Sequence, residues 1–165
     1  MGWRKLSTLH KTVRNPPCFS RPLRDSEMET ARRFQRMLKV KDTLRATVHL
    51  SFDGRVFKAY HGPKAQERFD NEVRVLKHLE ARGCPFVPRL LEAHPEELRI
   101  VTTNCGGRVE HLDEKRTREM FAELEKFGVR HDDPDIRNVT YRFSDGRFCL
   151  IDFEFATLVP ETQNP

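Results

Sequence analysis

Short runs of hydrophobic residues, several of them alternating with polar residues, predict β-strands along much of the chain. The first two runs, 46–52 and 55–60, flank Asp53-Gly54, a dipeptide typical of a two-residue hairpin turn. A second hairpin is predicted between 139–143 and 148–152. Further strands are predicted over 39–41, 89–93 and 98–103. The hairpins favour a mainly antiparallel sheet.

Three segments instead have hydrophobic residues three or four positions apart, which predicts helices. The clearest helix is predicted over 64–82, and Gly83 would end it. An earlier helix is predicted over 26–38, where Ser26-x-x-Glu29 forms a capping box. A third is predicted over 113–127. Together with the strands, these helices indicate an α+β fold.

The composition is that of a globular protein with a polar surface. Charged residues make up 33% and hydrophobic residues 37% of a 165-residue chain, which is enough for about one domain. No apolar run approaches the roughly 20 residues that cross a bilayer, and no secretory signal is visible. The four cysteines form no CxxC pair, which argues against a zinc site or a disulfide framework. We therefore expect a cytoplasmic protein with no membrane span.

Positive charge is concentrated at the start of the chain. Residues 1–24 contain no acid, and their basic residues are Arg4, Lys5, Lys11, Arg14, Arg21 and Arg24. We expect residues 1–25 to form a flexible basic arm. Three interpretations of it stay open: a solvated arm, a weak contact with a polyanion such as RNA, and a segment similar to a transit peptide.

The strongest chemical signal is a polar loop followed by a strand that ends in an acid. Residues 131–138 contain H-x-D-x-x-x-x-N, formed by His131, Asp133 and Asn138. Fourteen residues after Asn138, an apolar run ends in Asp152-Phe153-Glu154. This combination resembles the catalytic loop and D-F-G metal motif of the protein-kinase-like superfamily. The D-F-E variant resembles the choline and aminoglycoside kinase branch.

The resemblance implies a minimal protein-kinase-like fold over roughly residues 39–156, with Mg-ATP-dependent phosphoryl transfer as its function. Asp133 would orient the acceptor hydroxyl as a base, and His131 would brace the loop. Asn138 and Asp152 would hold Mg²⁺ on the phosphates of ATP, because Mg²⁺ prefers oxygen ligands. The acceptor would be a small molecule or a protein.

A kinase-like nucleotide site also needs a lysine on a strand, paired with a glutamate on the next helix. Lys58 lies within the second strand of the predicted hairpin. Two helix acids compete for the partner role, since Glu67 lies on the polar side and Glu72 lies three residues after Phe69, beside the apolar stripe. An acid on that stripe would be costly unless it is paired. We therefore expect Glu72 to pair with Lys58.

The order of the strands places an adenine contact after the strand 98–103. Under the resemblance, backbone groups of Thr103, Asn104 and Cys105 would meet the edge of the adenine. Gly106-Gly107 then reads as a flexible turn.

Two parts of the kinase pattern are missing from this sequence. Residues 41–45 contain no glycine-rich phosphate loop, and Lys41 and Arg45 are the charges that would substitute for it. Only eleven residues follow Glu154 here, which leaves no room for an activation segment or a large helical lobe.

We therefore expect one domain over 26–165, in which 26–104 forms a helix plus an antiparallel N-lobe and 105–165 forms a truncated C-lobe. The alternative to an enzyme is a catalytically weak or inactive pseudokinase that acts as a binding or scaffold module. A nucleic-acid-binding protein that uses the basic arm is a third class.

Overall fold

The computed structural model describes residues 37–159. The predicted basic arm and most of the predicted helix 26–38 lie outside the described residues.

Five antiparallel strands form the main sheet, in the order β1-β2-β3-β5-β4. They are β1 (Met37–Asp42), β2 (Ala46–Ser51), β3 (Arg55–Tyr60), β4 (Leu90–His94) and β5 (Arg99–Thr103). β3 lies at the centre of the sheet and pairs with β2 on one side and β5 on the other. This central strand carries Lys58.

The predicted hairpin is confirmed, but its turn is longer than a two-residue turn. β2 ends at Ser51 and β3 begins at Arg55, so the connection has three residues. The Gly54 amide donates to the Ser51 carbonyl at 3.1 Å, and Gly54 has φ 78°. The left-handed backbone of Gly54 suits the last position of a three-residue loop, which explains the glycine.

The predicted helix over 26–38 is wrong at its end. Met37 and Leu38 belong to β1, where they pair with Ser51 and Leu50 of β2. Local periodicity in the sequence does not show that β2 supplies a strand partner for these residues. Ladder hydrogen bonds from that partner outweigh a marginal helical preference.

Two helices accompany the sheet within the described residues. Helix α1 (Ala65–Ala81) packs against β3, β4 and β5, and its predicted stop at Gly83 (φ 67°) is confirmed. Helix α2 (Glu114–Glu125) is slightly shorter than the predicted 113–127. The Asp113 side chain caps α2 by accepting a hydrogen bond from the Arg116 amide at 3.1 Å.

Two small sheets complete the described chain. One contains β6 (Gly107–Arg108), β8 (Val139–Arg142) and β9 (Arg147–Leu150), in the order β6-β8-β9. The other pairs β7 (Val129–Arg130) with β10 (Thr157–Leu158). The predicted second hairpin is β8–β9, and both of its strands are shorter than predicted.

Gly106-Gly107 does not form a flexible turn. Gly107 pairs with Tyr141 in β8. A side chain on Gly106 would place its Cβ only 1.9 Å from the Tyr141 carbonyl oxygen. Gly106 is therefore required by a close backbone approach, which the sequence alone does not distinguish from a loose turn.

One hydrophobic core joins the main sheet to the smaller ones. It includes Leu76 and Leu79 of α1, Leu124 of α2, and Phe153, all of them fully buried. The described chain is an α+β fold with a five-stranded antiparallel sheet, two helices and small extra sheets. Among residues 37–159, no helix is long and apolar enough to cross a membrane.

Candidate functional site

Lys58 joins three elements of the fold. From the central strand β3, its Nζ donates to Glu72 Oε2 at 2.6 Å and to Asp152 Oδ1 at 2.5 Å. Glu72 lies in the middle of α1, and Asp152 follows β9. The side chain of Lys58 is only 9% exposed. The predicted proximity of Lys58, Glu72 and Asp152 is therefore confirmed.

Glu72 is the buried partner, whereas Glu67 is not. Glu67 is exposed and pairs with Lys64 on the surface. Glu72 Oε2 also accepts from the Tyr60 hydroxyl at 2.6 Å, and its Oε1 accepts from the Phe153 amide at 3.4 Å. Glu72 thus contacts β3 through Lys58 and Tyr60, and it contacts the segment after β9 through the Phe153 amide. It therefore holds three parts of the chain together.

The buried charges alter each other's protonation. Burial alone would lower the pKa of Lys58, but the nearby carboxylates of Glu72 and Asp152 outweigh it and raise that pKa. Burial raises the pKa of Glu72, although Lys58 acts in the opposite direction. At neutral pH the ammonium of Lys58 is therefore firmly protonated, which suits it for binding an anion.

Asp152 has an unusual backbone and two cationic partners. Its φ of 69° lies in the left-handed region, where residues other than glycine are uncommon and often functional. Lys41 Nζ lies 3.1 Å from Oδ2, opposite the Lys58 contact on Oδ1. Burial would raise the pKa of Asp152, but Lys58 and Lys41 together hold it below its ordinary range.

Arg68 and Glu154 form a second buried ion pair beside Lys58. Arg68 Nη1 lies 3.3 Å from Glu154 Oε2, and Lys58 Nζ lies 3.3 Å from the same oxygen. Arg68 also donates to the carbonyls of Arg45, His61 and Pro63. Glu154 stands where the D-F-G motif has glycine, and in this structure it is paired with Arg68 and Lys58.

Three carboxylates converge closely enough to hold a cation. Oxygen atoms of Glu72, Asp152 and Glu154 all lie within 4.8 Å of one another. All three also contact the ammonium of Lys58, so a cation of the protein already bonds to this group. Of the two predicted metal ligands, Asn138 and Asp152, only Asp152 belongs to this group of carboxylates.

The loop containing His131 and Asp133 is held by its own hydrogen bonds. Buried His131 donates from Nε2 to the Ile151 carbonyl at 3.0 Å, and its Nδ1 accepts from the Asp133 amide at 3.3 Å. Its ring also packs against Phe121 and Phe153. His131 thus fixes the loop against the residue before Asp152, the bracing role that the resemblance implies.

Asp133 presents a carboxylate that is half-exposed and ionised. Arg137 Nη2 donates to both of its oxygens, at 2.7 and 2.8 Å. The Asn138 amide nitrogen donates to Asp133 Oδ2 at 3.1 Å and to its carbonyl at 2.9 Å. The Arg137 hydrogen bond, with help from Asn138, lowers the pKa of Asp133. These bonds use only the amide nitrogen of Asn138, so its Oδ1 is the atom that a metal would meet.

The residues predicted to contact adenine are already tied into the sheet. The Thr103 amide donates to the Arg89 carbonyl at 3.0 Å, and the Asn104 amide donates to Gly54 at 3.1 Å. The Cys105 side chain is buried. The amides of Thr103 and Asn104 are therefore committed within the protein, so an adenine edge would have to meet other backbone groups of this segment.

Sequence reasoning named Lys41 as a substitute for the phosphate loop but did not identify its contact with Asp152. It missed three other side chains that complete the site: Tyr60, Arg68 and Glu154. Two of them had a signal. Tyr60 lies two residues after Lys58 and so shares its face of β3, and Arg68 lies one helical turn before Glu72. Their partners could not be identified from spacing alone.

Comparison of the chain with protein-family models and with curated proteins gives no match.

Proposed function

We propose that this chain has a minimal protein-kinase-like fold and binds Mg-ATP to transfer its terminal phosphoryl group. The observation that carries the proposal is the position of Lys58 between Glu72 and Asp152. Three separate elements bring these charges together, although 94 residues separate Lys58 from Asp152. A buried, firmly charged lysine aimed at a carboxylate suits a site that aligns phosphates beside a metal.

The donor atoms present fit Mg²⁺. Asp152 supplies a carboxylate and Asn138 an amide oxygen, which are the hard ligands that this ion prefers. When bound, the metal would neutralise charge on the nucleotide phosphates. Asp152 is held by two lysines in the structure, and exchanging the Lys41 contact for a metal would keep its charge compensated.

Asp133 is the residue placed to act on the acceptor. Its low pKa keeps it ionised near neutral pH, so it can accept a hydrogen bond from a hydroxyl. As that hydroxyl oxygen bonds to the γ-phosphorus, the bond to the bridging oxygen of ADP breaks and the hydroxyl proton passes to Asp133. Arg137 keeps the carboxylate oriented during this step.

Nucleotide binding tests the proposal directly. We expect ATP with Mg²⁺ to raise the unfolding temperature, because a ligand at a hundred times its Kd stabilises a protein by about 2.7 kcal/mol. Lys58→Met should abolish most of this shift. Lys64→Met is the matched control, since Lys64 is an exposed lysine paired only on the surface. A wild-type protein that binds no nucleotide at millimolar ATP contradicts the proposal.

A scaffold module without catalysis is the second candidate, and one observation favours it. Both carboxylate oxygens of Asp152 contact lysines in this state, so neither oxygen is open to a metal. Under this alternative the charge cluster stabilises the fold and binds no metal. A nucleotide affinity that is the same with and without Mg²⁺, together with no turnover, would favour the scaffold module.

A further inference from the structure

A bulge in β1 turns Lys41 toward the site. Lys39 pairs with His49 and Lys41 pairs with Val48, which leaves Val40 as an extra residue between them. Directly paired residues share a face of a sheet, and His49 and Val48 are neighbours on β2 that point to opposite faces. Lys39 and Lys41 therefore lie on opposite faces, although a regular strand would place them on the same one.

The same register places Lys41 in line with Lys58. Val48 of β2 pairs with Lys41 on one side and with Lys58 on the other. The three residues form a row across one face of the sheet, with a lysine at each end. Both lysines contact Asp152, one on each carboxylate oxygen.

Lys41 and Lys58 differ in how firmly they are held. The Lys41 side chain is 38% exposed, and its contact with Asp152 is 3.1 Å long. The Lys58 side chain is 9% exposed and contacts three carboxylates. Lys41 is thus able to leave Asp152 at little cost, whereas Lys58 is fixed.

From this geometry we infer that Lys41 is a phosphate-binding residue of the nucleotide site. When a divalent cation binds Asp152, the Lys41 ammonium moves from Asp152 to the β- and γ-phosphates. The inference rests on the proposed function. It explains how a site without a glycine-rich loop holds the phosphates, because a mobile ammonium replaces the missing backbone donors. Without nucleotide, the same lysine compensates the charge of Asp152.

Arg45, the other basic residue in 41–45, does not share the position of Lys41. Its guanidinium lies over the Phe155 ring at 5.4 Å, and its carbonyl accepts from Arg68 at 3.0 Å. The side chain of Arg45 is therefore directed toward the segment after Glu154.

The experiment compares Lys41→Met with Lys39→Met by calorimetric titration with adenosine, ADP and ATP, each with Mg²⁺. Lys39 is the matched control because it lies two residues away on the opposite face, paired with Asp42. We expect Lys41→Met to weaken Mg-ATP binding by about 10- to 100-fold, the usual effect of losing a charged hydrogen bond. Adenosine affinity should stay within about twofold of wild type, and Lys41→Arg should restore most of the loss.

The outcomes separate this inference from the proposed function. If wild type binds Mg-ATP and Lys41→Met binds it equally well, Lys41 does not contact phosphate and the proposed function stands. If Lys41→Met loses adenosine and ATP affinity by the same factor, the residue acts through the fold and the inference fails. If wild type binds none of the three ligands, both the inference and the proposed function fail.

Discussion

Asp133 and Asp152 carry the same chemical group in different surroundings. Asp152 faces two lysines in a mostly buried position, whereas Asp133 is half-exposed and held by Arg137. The first arrangement suits a charge that holds a cation, and the second suits a group that meets an incoming molecule. Residue identity alone would not assign these two roles.

Replacing each aspartate should affect a different measurement. Under the proposed function, Asp133→Asn is expected to lower turnover by about 10²–10⁴-fold and to leave Mg-ATP affinity nearly unchanged, since it would remove only acceptor positioning and proton acceptance. Asp152→Asn should weaken Mg²⁺-dependent ATP binding, because a charged ligand is lost. ATP turnover and calorimetric affinity are measured for both variants. Full turnover in Asp133→Asn would exclude its role as a base.

Glu72 and Glu67 offer a matched test of burial. Glu72→Gln should lower the free energy of unfolding by about 1–3 kcal/mol, because Lys58 and the Tyr60 hydroxyl lose a charged partner in a buried place. Glu67→Gln should change it by less than about 0.5 kcal/mol, since its ion pair is exposed. Urea denaturation measures both variants. Equal effects would show that the Lys58–Glu72 pair does not stabilise the fold.

At the level of strands, Gly106 marks a place where two backbones meet. We expect Gly106→Ala to destabilise the protein far more than Gly54→Ala, although both glycines have positive φ. A Cβ on Gly54 meets nothing within 4 Å, so its cost is limited to about 1 kcal/mol of backbone strain. On Gly106 the Cβ would overlap the Tyr141 carbonyl and force β6 away from β8.

Thermal unfolding of the two glycine variants measures this difference. A melting temperature of Gly106→Ala no lower than that of Gly54→Ala would mean that β6 is not packed as described. The expected order also separates a crowded glycine from a purely conformational one.

Elements defined by local chemistry could be predicted from the sequence, and those defined by distant partners could not. Asp53-Gly54 and Gly83 specify a turn and a helix end through their own backbone preferences, so both were predictable. β1 was partly missed because its pairing with β2 is what makes it a strand. The bulge at Val40 depends on the same pairing and leaves no signal in the spacing of the lysines.

The candidate site followed the same division. Lys58 and Glu72 could be predicted because strand and helix periodicity place each on a definite face. The contacts of Asp152 with Lys41 and of Glu154 with Arg68 could not, since they join residues 111 and 86 positions apart. No local rule selects such partners.

At the scale of the whole molecule, the end of the described chain is tied back to both halves. Asn71 of α1 donates to the carbonyls of Glu154 and Ala156, at 3.2 and 2.9 Å. The Thr157 hydroxyl donates to Asp132, which also pairs with Arg130 at 2.7 Å. The segment after Asp152 therefore connects α1 to the loop that carries Asp133.

Acid should weaken this connection through Asp132. The Thr157 hydroxyl and then Arg130 hold the pKa of Asp132 below its ordinary value of 3.8, although partial burial acts the other way. A carboxylate with a lowered folded pKa contributes stability that is present above its unfolded pKa and is lost as pH falls through the folded one. The stability difference between wild type and Asp132→Asn should thus shrink below about pH 4.

Urea denaturation between neutral and acidic pH measures this difference, with Asp70→Asn as the control. Asp70 accepts from Gln66 on the exposed side of α1. A difference between wild type and Asp132→Asn that persists unchanged in acid would show that the carboxylate of Asp132 is not the linking group.

The Arg68–Glu154 pair also constrains the order in which this sequence can evolve. Loss of Arg68 would leave Glu154 with Lys58 alone and would remove a donor from three carbonyls, whereas loss of Glu154 leaves Arg68 with those carbonyls. Breaking a buried pair costs about 3–5 kcal/mol, against a total stability of about 5–15 kcal/mol for a typical domain. Substitutions at position 154 would therefore cost less than substitutions at position 68, because Arg68 makes more hydrogen bonds. In descendants of this sequence, position 68 should be the slower of the two to change.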